Sequence, residues 1–240
     1  METLRTPAYI RHLDEEQRMA HFALYANMFV LTLPFLSDRV SELEPDLADW
    51  VSRTADLVVS TADPLEFRQF WMALMLSRSV DNFHTYISEA LLGVFRARPE
   101  TLRSGSKVEV REVLECASIE EFAGRLAERR VEELSHQGFP SMQRYLEERL
   151  GIELKFDQEQ LRLASEATAI RNLVVHNRGY VNERFLRDTG REDLRVGEQL
   201  EFDRQLLGRY TRALHSATET IDVGLVRKFG IQLFLETEQT

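Results

Sequence analysis

The feature that most limits the possible folds of this chain is the recurrence of apolar residues every three or four positions. The longest such segment opens at Asp63–Pro64, where an N-cap residue precedes a proline in the first helical position, and it ends before Pro99. Its apolar residues fall at helical spacing: Phe67, Phe70, Trp71, Leu74, Met75, Val80, Phe83, Ile87, Leu91 and Phe95. This spacing predicts one long amphipathic helix.

Further helices are predicted on both sides of this segment. Residues 9–36 have the same spacing, and Pro34 is expected to kink or end that helix. A second amphipathic stretch covers about 45–60. Residues 102–110, which include Ser104, Gly105 and Ser106, are expected to form a loop.

Capping signals mark the starts of the later helices. A capping box at 118–121 begins a charged helix that ends at about Gln137, before Gly138, and a shorter helix follows over 141–151. The pattern at 157–160 repeats the capping box and begins a helix over about 157–177. The last helix begins at Asp203, with Phe202 placed as a hydrophobic staple, and reaches about Arg227.

Strand signals are weak. Val108 with Val110, and Leu200 with Phe202, alternate as strand residues do, but they could form at most short extended pieces. We therefore expect an all-α fold, an up-and-down helical bundle that forms a single domain over residues 1–240.

Charge and composition exclude several classes of protein. The net charge of −10 argues against a general nucleic-acid-binding surface, so any basic RNA-binding surface must be local. Cys116 is the single cysteine, which leaves neither an internal disulfide nor a cysteine-cluster zinc site. No apolar run is long enough to span a bilayer and the first residues do not resemble a signal peptide, so a cytoplasmic location is expected.

The familiar catalytic motifs are missing from the sequence. It has no phosphate-binding P-loop, no nucleophile elbow, no His-Glu-x-x-His pair and no kinase signature. Two acid-x-x-His pairs, Asp81 with His84 and Glu133 with His136, could each place two ligands on one helical face. A di-metal bundle also needs carboxylates from two more helices. It therefore remains an alternative, and no metal or cofactor is expected.

The most informative segment is Ala169–Tyr180, at the end of a predicted helix. It contains Arg171, Asn172 and His176 in the pattern Arg-Asn-x-x-x-His, and no other histidine of the chain has an arginine five positions before it. An apolar stripe runs along the same helix: Leu163, Ala167, Ile170 and Val174. Three consecutive apolar residues, 173–175, cover most of the circumference, so this helix end is expected to be covered on more than one side.

The Arg-Asn-x-x-x-His block resembles the signature of the HEPN superfamily (higher eukaryotes and prokaryotes nucleotide-binding), an all-α fold. Less specifically, Tyr86–Glu100 resembles the second core helix of small bacterial members, 118–151 their inserted helices, and 203–227 their closing helix. The resemblance implies a metal-independent endoribonuclease that acts as a homodimer. In such a dimer two motif helices meet at a two-fold axis and form one composite site.

Transferred to this sequence, the resemblance makes Arg171 and His176 the catalytic pair and Asn172 the polar residue beside the arginine. The chemistry fits, because RNA cleavage needs a base for the ribose 2′-hydroxyl and a cation for the charge that develops on the phosphate. Imidazole suits the first role near neutral pH, and a guanidinium fork suits the second. The expected products carry a 2′,3′-cyclic phosphate and a 5′-hydroxyl.

Supporting residues are expected around this pair. Arg178, Arg184 and Arg187 follow the motif and could contact RNA phosphates, although an ordinary surface of mixed charge explains them equally well. Asn177 and Glu89 could support the catalytic pair without touching the substrate. Asp81 and His84 lie on the helix expected to face the motif helix, where a place in the core or at its rim is the simpler expectation.

Three functions remain open from the sequence. The first is a toxin or antiphage effector that cleaves RNA, such as a transfer RNA, as a homodimer that buries Leu173 and Val175, with an antitoxin or another regulatory protein as a further partner. The second is a non-catalytic module that binds a protein or a nucleotide, in which Arg171 pairs with Glu166 or a neighbouring acid. The third is the di-metal bundle. No membrane partner is expected.

Overall fold

The computed structural model describes residues 5–43, 53, 64–102, 108–136 and 139–230, with only the backbone described at 26–43, 64–67 and 135–136. Within these residues the chain forms eight α-helices and no strand. The prediction of an all-α bundle is therefore confirmed. Within the same residues, no helix has the length and the apolar character needed to cross a membrane.

The bundle is built around one central helix. In chain order the helices are α1 (Pro7–Leu43), α2 (Pro64–Ala97), α3 (Val110–Leu114), α4 (Ile119–His136), α5 (Phe139–Arg144), α6 (Gln158–Asn177), α7 (Glu183–Thr189) and α8 (Arg204–Phe229). Helix α2 packs against α1, α4, α6 and α8, and α6 also packs along α8. The motif helix α6 is thus held on one side by α2 and on another by α8.

The predicted caps explain where the helices begin. Asp157 accepts hydrogen bonds from two N–H groups in the first turn of α6, and Asp203 accepts one in the first turn of α8. At α4, Ser118 Oγ accepts from the Glu121 N–H, while the Glu121 carboxylate accepts from the Ala117 N–H. Each contact satisfies a donor that the helix itself leaves without a partner.

Several predicted boundaries differ from the structure. Helix α1 continues through Pro34 to Leu43, because a proline removes one backbone donor while the turns on either side can keep theirs. The helix predicted to start at Ser141 begins at Phe139 and passes into a π-helical turn at Tyr145–Arg149. Apart from residue 53, the stretch at 45–60 lies outside the described residues, as does the Asp63 cap.

The core lies between α2, α6 and α8. Its largest fully buried side chains include Phe83, Tyr86, Phe95, Leu146, Ile170, Tyr210 and Leu214. The predicted stripe of α6 is confirmed, since Leu163, Ala167 and Ile170 are buried and Val174 is partly buried against the same core.

Among the described residues, extended structure is limited to one short pairing. In the described chain, an isolated antiparallel bridge joins Tyr180 and Gln199, and backbone hydrogen bonds between 179–181 and 197–200 extend it. Of the two predicted extended pieces, Leu200 contributes through its N–H to Gly179, whereas Val110 begins α3. This pairing fixes the chain that leaves α6 and leads into α7.

Candidate cleft at the end of the motif helix

The end of α6 directs the chain away from the helix axis at the motif. Arg178 adopts a left-handed conformation (φ 54°), as does Gly179 (φ 82°), and the N–H groups of both bond to the Leu173 carbonyl. A left-handed residue at this position is a common way for an α-helix to end. The Asn177 side chain donates a hydrogen bond to the Tyr180 carbonyl, and this hydrogen bond closes the turn.

Arg171 is held in a fixed orientation by two neighbours. Its Nε and Nη2 each lie 2.9 Å from Oδ1 of Asp81 on α2, and its Nη1 donates to Oδ1 of Asn172 at 3.2 Å. The acid that pairs with Arg171 is therefore Asp81. Glu166 instead binds Arg162 at 2.8 Å and Arg191 at 2.7 Å.

An open cleft of about 820 Å³ lies beside this end of α6. Arg171, Asn172 and His176 all line it. The remaining wall residues come from α2, the start of α5, earlier turns of α6, and the α7 segment with its cap: His84, Phe139, Pro140, Ser165, Thr168, Ala169, Leu173, Asn182, Arg184, Phe185 and Asp188. All three residues of the sequence motif thus face one cleft of one chain.

Helical geometry explains why the motif residues meet. Asn172 and His176 are separated by four positions, so they lie one above the other on the same face of α6. Both side chains are exposed. Arg171 lies at the edge of that face, where it can reach Asp81 on α2 and still line the cleft.

The charges around the cleft are partly balanced. Arg184 lies 3.4 Å from Asp188, and Asp81 offsets the charge of Arg171. Burial lowers the pKa of His84, the Arg171 guanidinium lowers it further, and Asp81 opposes both. The lowered pKa favours the neutral form of His84, which limits the positive charge inside the cleft.

The other predicted site residues lie at different places. Arg184 lines the cleft, whereas Arg187 is exposed, lies 3.7 Å from Asp188, and is not among the lining residues. Arg178 is exposed at the end of α6. Glu89 forms an ion pair with Arg11 of α1 at 2.9 Å and is not among the residues that line the cleft. It follows Asp81 by eight positions, about 12 Å along α2.

The predicted dimer contact needs one correction. Leu173 is 3% exposed because its own bundle covers it, so it cannot form part of a surface between two chains. Val175 is 51% exposed and remains available. The apolar run at 173–175 is thus covered partly from within the chain.

The acid-x-x-His pairs are used differently from metal ligands. Asp81 binds Arg171, and His84 lines the cleft. Glu133 pairs with Arg130 at 2.8 Å, and the His136 side chain lies outside the described residues. In the described chain neither pair belongs to a cluster of three possible ligands.

Sequence analysis missed the α7 wall of the cleft. Asn182 caps α7 by accepting a hydrogen bond from the Phe185 N–H at 2.8 Å, and Phe185 is buried. The ion pair between Arg191 and the buried carboxylate of Glu166 ties the chain after α7 to α6. An asparagine directly before Glu183 is a helix-start signal that could have predicted α7.

Comparisons of the chain with family models, with curated proteins and with solved structures give no match. The function must therefore be inferred from the cleft itself.

Proposed function

We propose that this protein is a metal-independent endoribonuclease of the HEPN type, with its active site in the cleft at the end of α6. The observation that supports this most is that Arg171, Asn172 and His176 line one open cleft of suitable size. A base and a fixed cation are the two groups that cleavage by the ribose 2′-hydroxyl needs.

Each residue has a defined role in the proposed reaction. His176 accepts the proton of the 2′-hydroxyl, whose oxygen attacks the adjacent phosphorus. Arg171 stabilises the charge that develops on the phosphate oxygens, and Asn172 and Asp81 hold its guanidinium in place. The bond from phosphorus to the 5′ oxygen breaks, and that oxygen takes a proton from water. The resulting hydroxide takes the proton back from His176, which restores the base. The products carry a 2′,3′-cyclic phosphate and a 5′-hydroxyl.

The shape of the cleft favours an unpaired stretch of RNA as substrate. Its volume of about 820 Å³ lies in the range of sites for small ligands, so it can hold only the nucleotides around one phosphate. Exposed loops, such as those of a transfer RNA, present unstacked bases and an accessible backbone. The net charge of −10 fits such local recognition better than binding along a duplex.

The resemblance also leads us to propose a homodimer with a composite site. The half-exposed Val175 directly precedes the cleft residue His176 and offers an apolar surface to a second chain. Such a nuclease would serve as a toxin or antiphage effector, restrained by an antitoxin or another regulatory protein. Light scattering at micromolar concentration tests the assembly, because a monomer both alone and with RNA would contradict the composite site.

One observation favours the alternative of a non-catalytic interaction module or nucleotide-binding module. The charge of Arg171 is already paired with Asp81, as it would be in a purely structural role. The two functions differ in a direct assay, because the alternative predicts no RNA cleavage at all.

The test is an RNA cleavage assay in EDTA with purified wild type, His176→Ala and Arg171→Lys. We expect His176→Ala to lower the rate by roughly 10²–10⁴-fold, since it removes the proton-transfer group. Arg171→Lys keeps the charge and loses the fork, so it should also slow cleavage.

Matched controls separate this effect from general damage. His21→Ala removes an exposed histidine of α1, and Arg111→Lys changes an arginine whose side chain is 84% exposed. Neither lines the cleft, so both should retain the wild-type rate. Cleavage that requires a divalent metal, or that persists unchanged in His176→Ala, would contradict the proposal.

A further inference from the structure

A second cluster of side chains that could bind a metal ion lies between α1 and α8. His12 and Glu16 are separated by four positions, so they lie on one face of α1, and His215 projects from α8 towards them. One ligand atom from each residue lies within 4.8 Å of the other two. None of the three residues lines the cleft at the end of α6.

The distances within the cluster are close to those of a metal site. His12 Nε2 lies 3.4 Å from one oxygen of Glu16, and His215 Nδ1 lies 2.9 Å from the other. Two ligands of a tetrahedral zinc ion, each about 2.0–2.1 Å from the metal, lie about 3.3 Å apart. Only small side-chain movements are needed to place one ion among the three.

His12 provides independent evidence for a missing ligand. Its side chain is 1% exposed, yet neither ring nitrogen has a hydrogen-bond partner among the described residues. The 3.4 Å contact with Glu16 does not provide one. A buried polar group without a partner costs roughly 1–3 kcal/mol, so natural structures rarely leave one. A metal ion bound to Nε2, the nitrogen that faces Glu16, would give that nitrogen a partner.

The surroundings hold His12 in position for such a role. Its ring packs beside those of Tyr9 and Tyr86, with centroids 6.5 Å and 5.7 Å away. Its backbone carbonyl accepts a hydrogen bond from the side chain of Asn82 on α2 at 3.1 Å. By contrast, Glu16 and His215 are 30% and 41% exposed, so solvent can reach the cluster from their side.

We propose that His12, Glu16 and His215 bind one zinc ion, with water as the fourth ligand. Two imidazoles and one carboxylate favour a borderline ion such as Zn²⁺ over Mg²⁺ or Ca²⁺, which prefer oxygen ligands. The ion links the first turns of α1 to α8, and so it stabilises the bundle without taking part in chemistry at the cleft. Sequence analysis missed it, because Glu16 and His215 are separated by 199 positions.

The test measures zinc binding by the full-length chain after EDTA treatment and dialysis. Calorimetric titration with ZnCl₂ should give one ion per wild-type chain, and His215→Gln and Glu16→Gln should each weaken binding at least tenfold. Both positions are partly exposed, so these variants should fold. His21→Gln on the same helix is the matched control, and His176→Ala tests the separate cleft. Both should bind as wild type does.

Thermal unfolding provides the second readout. Zn²⁺ at a hundredfold excess over its Kd should raise the Tm of wild type by roughly 5–10 °C, and the same concentration should raise the Tm of His215→Gln by about half as much or less. The proposal is overturned if wild type binds no zinc, if His215→Gln and Glu16→Gln bind it as tightly as wild type, or if His176→Ala abolishes it. Since RNA cleavage is not measured, these results do not depend on the nuclease proposal.

Discussion

Two glycines of α8 should respond to the same substitution in opposite directions. A Cβ at Gly224 would lie 2.5 Å from Cγ2 of Ile152, which is 3% exposed, and 3.6 Å from Cδ2 of Leu154. A Cβ at Gly208 would meet only the flexible end of Arg212, at 3.3 Å. Glycine to alanine in a helix interior contributes about 0.8–1.0 kcal/mol of stability where space allows.

The energetic cost of overpacking at Gly224 should exceed this gain in stability. Inserting a methyl group into a packed core costs about 1–3 kcal/mol. After the helix gain is subtracted, Gly224→Ala should lower the free energy of unfolding by up to about 2 kcal/mol and the Tm by up to roughly 8 °C. Gly208→Ala should instead raise the free energy of unfolding by up to about 1 kcal/mol. Urea and thermal unfolding, followed by circular dichroism, measure both changes.

A double-mutant cycle tests the cause. In an Ile152→Ala background the clashing methyl group is absent, so Gly224→Ala should no longer destabilise, and the coupling energy should be about 1–3 kcal/mol. If Gly224→Ala stabilises the wild-type chain as much as Gly208→Ala does, that result would contradict the close contact between Gly224 of α8 and the 151–154 segment.

Three further predictions concern the cleft and its supports. Asp81→Ala should lower the free energy of unfolding by at most about 1 kcal/mol, because the pair with Arg171 is partly exposed. It should nevertheless reduce kcat for RNA cleavage roughly tenfold or more, because the guanidinium is no longer held in place. A loss of kcat no larger than the loss of stability accounts for would contradict an orienting role. The pKa of His84 is lowered in the folded chain, so the unfolded chain binds more protons and stability falls as pH drops below about 6.5. Urea unfolding at pH 7.5 and 5.5 should show a smaller fall in the free energy of unfolding for His84→Gln than for wild type. An identical fall in the two proteins would refute this prediction. Glu166→Gln should cost about 2–3 kcal/mol in urea unfolding, because it removes the carboxylate that two arginines share at 5% exposure, and a cost below about 0.5 kcal/mol would contradict it.

Signals within one segment predicted the fold well. Asp157 and Asp203 mark helix starts because a cap needs only a side chain and the next few backbone N–H groups. Helices α3 and α7 were missed because five and seven residues are too few to establish a periodicity.

The site was less predictable, because it depends on contacts between distant segments. The motif named Arg171, but its pairing with Asp81 spans 90 positions and requires α2 and α6 to pack side by side. The apolar character of Leu173 predicted a covered surface, but a sequence does not distinguish cover by the same chain from cover by a second one. Glu89 was expected near the site because it lies on the same helix as Asp81. Its position on that helix instead directs its side chain towards Arg11 of α1.

The most direct test of the nuclease proposal compares two oligonucleotides that differ in one oxygen. One is an RNA that wild type cleaves, and the other carries a 2′-deoxyribose at the scissile position. In EDTA, the proposal predicts that wild type cleaves the first to a 2′,3′-cyclic phosphate, leaves the second intact while still binding it, and that His176→Ala cleaves neither at an appreciable rate. Cleavage of the 2′-deoxy substrate, or products with a 5′-phosphate, would contradict attack by the 2′-hydroxyl in this cleft.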